Sequence, residues 1–226
     1  MTAMPIRSAF AVPLLASLTA GIAECQPAAT FLNLMDQFSR TFTGAKANIR
    51  TTTHPRGIPE DDVETGVFLV KRAGGKTQFR IDFAPPNVYT VAVHDQLAEI
   101  YRPKLNETQV YDLSAYKDLA QYFLLGFGMP VRELASSYEI RDLKHETVDG
   151  QAATHLELIP KSPAVAKQLK SIEVWISDAN QCPVRQTFHF PDGGFRTAQF
   201  SALEVNPKFP GGAFDLPKGA KRVRAN

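Results

Sequence analysis

The sequence predicts a mainly β protein with a few helices. A strongly curved antiparallel sheet of about eleven strands forms an incomplete barrel, and helices lie as a lid over its apolar concave side. Three observations carry this reading. From Gly44 onward the apolar residues recur with a period of two over most of the chain, which is the spacing of half-buried strands. Turn residues recur at short intervals, at Ala73-Gly74-Gly75, Pro85-Pro86-Asn87, His94-Asp95, Asp149-Gly150, Asp178-Ala179-Asn180 and Asp192-Gly193-Gly194, so neighbouring strands join as antiparallel hairpins. Helical periodicity interrupts the strands only at 114–137 and near 162–170, without the strand–helix alternation that a parallel sheet requires.

The first 23 residues read as a cleaved export signal. Arg7 is the only charge before Glu24, and SAFAVPLLASLTAGIA is an apolar run ending in small residues, with cleavage expected after Ala23. That run is too short to span a bilayer comfortably and contains Pro13. The remainder, 24–226, shows no internal repeat and no low-complexity linker, so a single domain is expected. Cys25 follows Glu24, whereas a lipidated cysteine wants a small residue before it. In an oxidising compartment Cys25 and Cys182 could form a disulfide, worth roughly 5 kcal/mol in the chain-entropy model; two separate thiols fit the sequence equally well.

In the mature chain, Phe31, Leu34, Met35 and Phe38 form one apolar helix face. Candidate strands follow near 45–54, 62–72, 77–84, 88–94, 97–102, 106–112, 138–147, 152–160, 171–178, 183–191 and 194–205. Their faces separate cleanly: Phe79, Ile81 and Phe83 share one side of KTQFRIDF, Ile172, Val174 and Ile176 one side of the ninth strand, and Val184, Phe188 and Phe190 one side of the tenth. Between strands lies QYFLLGFGMP at 121–130, whose Gly126 and Gly128 would each cost about 1 kcal/mol in a helix interior.

Other classes of function find no support. With 25 Lys and Arg against 23 Asp and Glu, net charge gives no reason to expect nucleic acid, and the basic tail Lys218, Lys221, Arg222 and Arg224 reads as a solvated terminus. The histidines, His54, His94, His145, His155 and His189, show no metal-ligand spacing, although His145 and His155 could face each other across a hairpin. No serine lies in a nucleophile elbow, no CxxC occurs, and Trp175 reads as core. No enzyme activity, metal or cofactor is expected.

Several short motifs then fall in a fixed order. A strand ends in Phe68-Leu69-Val70-Lys71-Arg72, an aromatic strand closes as FRIDFAPP at 79–86, VAVHD occupies 91–95, and Ile100-Tyr101-Arg102-Pro103 follows; the chain ends in FPGGAFDLPKGAKRV. In this order they resemble the outer-membrane lipoprotein carrier family of the LolA type, over nearly all of the mature chain. The resemblance implies an unclosed barrel with helices over a hydrophobic cavity, and a periplasmic, monomeric chaperone that carries acylated lipoproteins toward the outer membrane. It implies an inner-membrane releasing complex and an outer-membrane receptor as partners. Phe79, Ile81, Phe83, Ile172, Val174, Ile176 and Phe188 would line the cavity, with Tyr122, Phe123, Leu124, Leu125 and Phe127 as the lid. Arg72 matches the family arginine that bonds to lid backbone and latches the empty cavity; read alone it is a surface arginine before a hairpin turn. The segment 113–137, the long first hairpin loop TTTHPRGIPEDD and the glycine-rich turn after Arg72 depart from the family pattern. Three alternatives stand beside the carrier: a binder of another hydrophobic ligand, a lipid sensor, or a receptor anchored through Cys25. The known sensor relatives add a C-terminal domain, whereas this chain ends at Asn226.

Overall fold

The computed structural model describes residues 28–74, 76–94, 96–113 and 124–225. The leader expected at 1–23, Cys25, and Tyr122 and Phe123 of the expected lid lie outside the described residues. The chain runs α1 (Ala28–Thr41), β1 (Gly44–His54), β2 (Asp62–Ala73), β3 (Lys76–Phe83), β4 (Tyr89–His94), β5 (Leu97–Arg102) and β6 (Glu107–Asp112). Then follow α2 (Val131–Ser137), β7 (Tyr138–Val148), β8 (Gln151–Pro160), a one-turn helix α3 (Pro163–Ala166), β9 (Ser171–Ser177), β10 (Pro183–His189), β11 (Phe195–Val205) and β12 (Lys221–Arg224). No described helix is long and apolar enough to cross a membrane.

All twelve described strands belong to one curved, unclosed sheet in the order β12-β6-β5-β4-β3-β2-β1-β11-β10-β9-β8-β7. Each neighbouring pair is antiparallel and joins consecutive strands except at two places: one pair is antiparallel but distant in sequence, and one is parallel. The first and eleventh strands pair antiparallel across the chain, which puts β1 at the middle of the sheet. The last strand lies parallel to β6. All eleven strands expected from periodicity form. The twelfth, Lys221-Arg222-Val223-Arg224, overturns the reading of the basic tail as a solvated terminus. Its backbone pairs along β6, and Arg222 forms an ion pair with Glu99, which is only 4% exposed.

The route to that strand explains the convex side. After β11, the chain crosses the outside of the sheet, where Arg80 of β3 donates to the carbonyls of Ala213 (3.3 Å) and Asp215 (2.9 Å). Asp82 holds the same guanidinium at 2.8–3.0 Å. At the far end of the sheet, the convex face carries a small cluster of Val148, Ala153, Trp175 and Val184. Val184 was expected beside Phe188 on the concave side. A bulge between Pro183 and Arg185 inserts one residue into β10 and turns Val184 to the opposite face. The two-residue turn Asp149-Gly150 pairs Val148 with Gln151 and so sets His145 opposite Thr154 and Lys144 opposite His155, and the two histidines do not face each other; a second bulge, between Arg141 and Lys144, lies beyond them.

The concave side holds the core. The helix α1 lies there with Phe31 and Met35 buried, and Asn206 (φ 54) fixes its exit: its side-chain oxygen accepts from the amides of Thr43 (2.7 Å) and Gly44 (3.3 Å), and its amide donates to the Thr41 carbonyl at 3.1 Å. Helical structure is shorter than the sequence pattern suggested. Residues 124–128 form turns and bends, with Gly126 and Gly128 at positive φ, and near 162–170 only one helical turn forms. Phe68, 1% exposed, sits at the centre, 4.9 Å from the Phe127 ring, 5.4 Å from Phe200 and 6.4 Å from Phe79. Truncating Phe68 to Ala should therefore lower unfolding free energy by about 3–5 kcal/mol in urea denaturation; a loss under about 1 kcal/mol would show that these rings are not a packed centre.

Candidate functional site

Strand alternation places every expected lining residue inside. Phe79, Ile81 and Phe83 from β3, Ile172, Val174 and Ile176 from β9, and Phe188 from β10 are all buried. They fall into two clusters instead of one lining. The β3 residues pack with Phe42, Phe68, Phe127, Cys182 and Phe200. Those of β9 and β10 pack with Phe31, Met35, Leu125 and Leu134.

The segment 124–129 joins the two. Leu125 (1% exposed) belongs to one cluster and Phe127 (3%) to the other, with Gly126 between them at φ 83. Leu124 is partly buried against the same cluster as Phe127. The two glycines are demanded by how closely this backbone approaches its neighbours. A Cβ on Gly126 would stand 2.6 Å from Cδ1 of Ile176, and one on Gly128 would stand 2.3 Å from the Phe42 ring. Both positions also hold a left-handed φ that L-residues resist. The segment thus lies flat in the concavity and fills it.

Two side chains of the sheet hold its backbone. Arg72, at the end of β2, donates from Nη1 to the carbonyl oxygen of Gly128. Gln186, on β10 and fully buried, donates from Nε2 to the carbonyl of Leu125 at 2.5 Å. Charge-assisted bonds are worth about 1.5–3 kcal/mol and neutral ones about 0.5–1.5. The sequence reading identified Arg72 but missed Gln186, although alternation does place Gln186 on the inward face with Phe188. A polar residue interrupting an apolar face was the available signal.

Toward the hairpin end of β3–β6 the concave side turns polar. Tyr89 donates to Glu64 at 2.9 Å, and burial together with that carboxylate pushes its phenol well above the usual tyrosine range. Arg102 and Tyr111 both donate to Oε1 of Gln109, at 2.7 and 3.2 Å. The convex face holds His155 and His189. His155 stacks on Trp175 with centroids 4.6 Å apart, His189 meets Glu173 at 2.7 Å, and the Trp175 indole donates to Glu146 at 2.9 Å. Among the described residues, no group of three or more His, Cys, Asp or Glu is placed to hold a metal ion.

Cys182, fully buried in the cluster that contains Phe127, has no disulfide partner among the described residues. Burial pushes its thiol up to about 12.

No family model and no curated protein matches the sequence. Solved structures do match the fold. MucB aligns at a TM-score of 0.53 and 15% identity over 86% of this chain and 64% of its own, so the chain spans less than two thirds of that neighbour's length. An uncharacterized conserved protein from Thermus thermophilus aligns at 0.54 and 14% identity, over 88% of this chain and 100% of its own. The LolA superfamily protein NE2245 from Nitrosomonas europaea aligns at 0.41 and 14% identity, over 84% and 97%. At these identities the likeness to MucB and to the Thermus thermophilus protein is one of fold alone.

Cys182 reports on the state of this segment. In a Cys25→Ser background, alkylation of the folded protein at pH 8 should be far slower than that of the unfolded chain, since the reactive thiolate is both scarce and covered. Arg72→Leu should accelerate it without changing the circular dichroism spectrum. Equal rates in the two proteins would show that Arg72 does not restrain the covering segment.

Proposed function

We propose that this chain is a periplasmic carrier that shields the acyl chains of lipoproteins in its concave interior and moves them toward the outer membrane. The observation that carries this reading is what fills the interior. The space between the two apolar clusters is taken by Leu125 and Phe127, on a segment broken by two glycines and pinned through backbone carbonyls. A core meant to be permanent has no need of such a plug. In this reading 124–129 is the described part of the lid, Arg72 is its latch, and the inward residues of β3, β9 and β10 receive the alkyl chain.

Magnitudes favour exchange. Burying Leu125 and Phe127 contributes about 1.5–3 kcal/mol each. With the two carbonyl bonds added, the closed segment is held by something on the order of 5–10 kcal/mol. An acyl chain of roughly fifteen methylenes gains on the order of 12 kcal/mol on leaving water, at about 0.8 kcal/mol per methylene. A guest can therefore displace the lid, yet the difference is small enough for release. Apolar walls without directional bonds tolerate chains of varied length, as a carrier of many cargoes requires. In the wider pathway, the acylated cargo would be received from an inner-membrane releasing complex and passed to an outer-membrane receptor.

The purified protein should bind an acylated peptide one to one, read by native mass spectrometry, and Leu124→Asp should abolish binding by setting a carboxylate on the apolar underside. Arg72→Leu should leave the fold intact and change the rate of uptake or release. Failure of the wild type to take any acyl probe would contradict the carrier reading, and unchanged exchange in Arg72→Leu would return that residue to a surface role.

A further inference from the structure

The concave wall changes character from β4 to β6. Ile100 of β5 lies between Val91 of β4 and Gln109 of β6, and Arg102 follows Ile100 on the same face. Val91, Ile100, Arg102 and Gln109 are all half-buried. Two donors converge on one acceptor here, since Nη1 of Arg102 and the hydroxyl of Tyr111 both donate to Oε1 of Gln109, at 2.7 and 3.2 Å. They occupy both lone pairs of that oxygen and so fix the amide, whose Nε2 keeps two N–H groups to give. Neither that Nε2 nor the Nε and Nη2 of Arg102 has a partner among the described residues. Arg72, Arg80 and Arg222 each meet a backbone carbonyl or a carboxylate, whereas Arg102 meets only a neutral side-chain amide. The carboxylate of the patch is Glu107, paired across the ladder with Arg102 on one side and Lys221 on the other, so two cations stand against one acid.

This patch is continuous with the apolar lining. Strand β5 lies two strand spacings, about 10 Å, from β3. An alkyl chain seated against Phe79 and Ile81 therefore keeps its polar end within reach of Arg102. What that end meets is a surplus of donors on a cationic side chain. A phosphate or carboxylate accepts from the free edge of the guanidinium and from Nε2 of Gln109, in charge-assisted bonds. An ammonium end has nothing to accept from these groups and is repelled by Arg102. We propose that Arg102 and Gln109, with Tyr111 fixing the amide, form a head-group subsite at the polar end of the lipid site, selecting amphiphiles that end in an oxyanion over those that end in a cation. The proposal rests on the carrier reading above, because it requires the interior to take an alkyl chain. It adds a chemical preference, and an orientation for the guest, to a site otherwise selective only for apolarity.

The test uses dodecyl phosphate and dodecyltrimethylammonium, each below its micelle concentration, in competition with an uncharged fluorescent alkyl reporter. Salt is held at about 0.15 M, where exposed charges more than about 8 Å apart are largely screened. The quantity read is the anion-to-cation affinity ratio in wild type divided by that in Arg102→Gln, in which the shared alkyl chain cancels. The expected value is about tenfold, the effect of a charge-assisted bond in a half-exposed site. Arg102→Met serves the same comparison should the Gln variant fold poorly. Lys104→Gln removes an exposed cation from the adjoining turn and should leave the ratio within about twofold of wild type. A ratio unchanged in Arg102→Gln, or one that falls as far in Lys104→Gln, overturns the subsite and leaves the carrier reading standing. Inorganic phosphate should bind at least about a hundredfold more weakly than dodecyl phosphate in calorimetry, because it lacks the chain; equal affinity would make this a site for a free anion and overturn the head-group assignment. No binding of either alkyl probe by the wild type overturns the carrier reading, and this inference with it.

Discussion

The structure depends on one constraint: a single sheet that curls without closing presents an apolar concave face that it cannot bury by itself. The inward residues of β1–β3, β8–β10 and β11 form two clusters, and neither is completed by sheet residues alone. The helix α1 covers part of each, with Phe31 and Met35 on one side and Phe42, just past its end, on the other. The gap between them is filled by Leu125 and Phe127. The cover is held by two side chains and two hydrogen bonds and the wall by whole ladders of backbone pairing, a difference on which the proposed exchange of cover for guest rests.

The convex side supplies the rigidity that such a wall needs. The stretch from β11 to β12 straps the outside of β3–β6, tied by Arg80 and ending in a parallel strand that shields one sheet edge. At the other end, Trp175 lies under Arg185, beside His155, with its N–H on Glu146. These contacts use polar and aromatic partners, in contrast to the middle of the concave face, where Gln186 stands among apolar neighbours. In the carrier reading proposed above, apolar contacts on one side would be exchangeable for a lipid. Specific polar ones on the other are not.

Much of this was legible in the sequence, since alternation reports burial directly. The eleven hairpin-linked strands, the inward faces of β3 and β9, and the apolar face of α1 all followed from a period of two or of 3.6 residues. What escaped was decided by tertiary context. The twelfth strand has no apolar alternation to announce it, and pairs only because the preceding chain delivers it to β6. The bulge that turns Val184 outward and the turn register that sets His145 one position off His155 are each a matter of a single residue, which periodicity cannot register. Gly126 and Gly128 stood out as helix breakers, yet their close approach to Ile176 and Phe42 required coordinates. Gln186 was visible only as a polar residue on an apolar strand, and its bond to the Leu125 carbonyl gave that observation chemical meaning.

The most direct measurement is a crystal structure of the protein bound to an acylated peptide. The expected result is an alkyl chain lying between Phe68 and Phe79 on one side and Ile172 and Ile176 on the other, with Leu125 and Phe127 withdrawn and the Gly128 carbonyl released from Arg72. A bound chain found elsewhere, with Leu125 and Phe127 still seated against the wall, would contradict it.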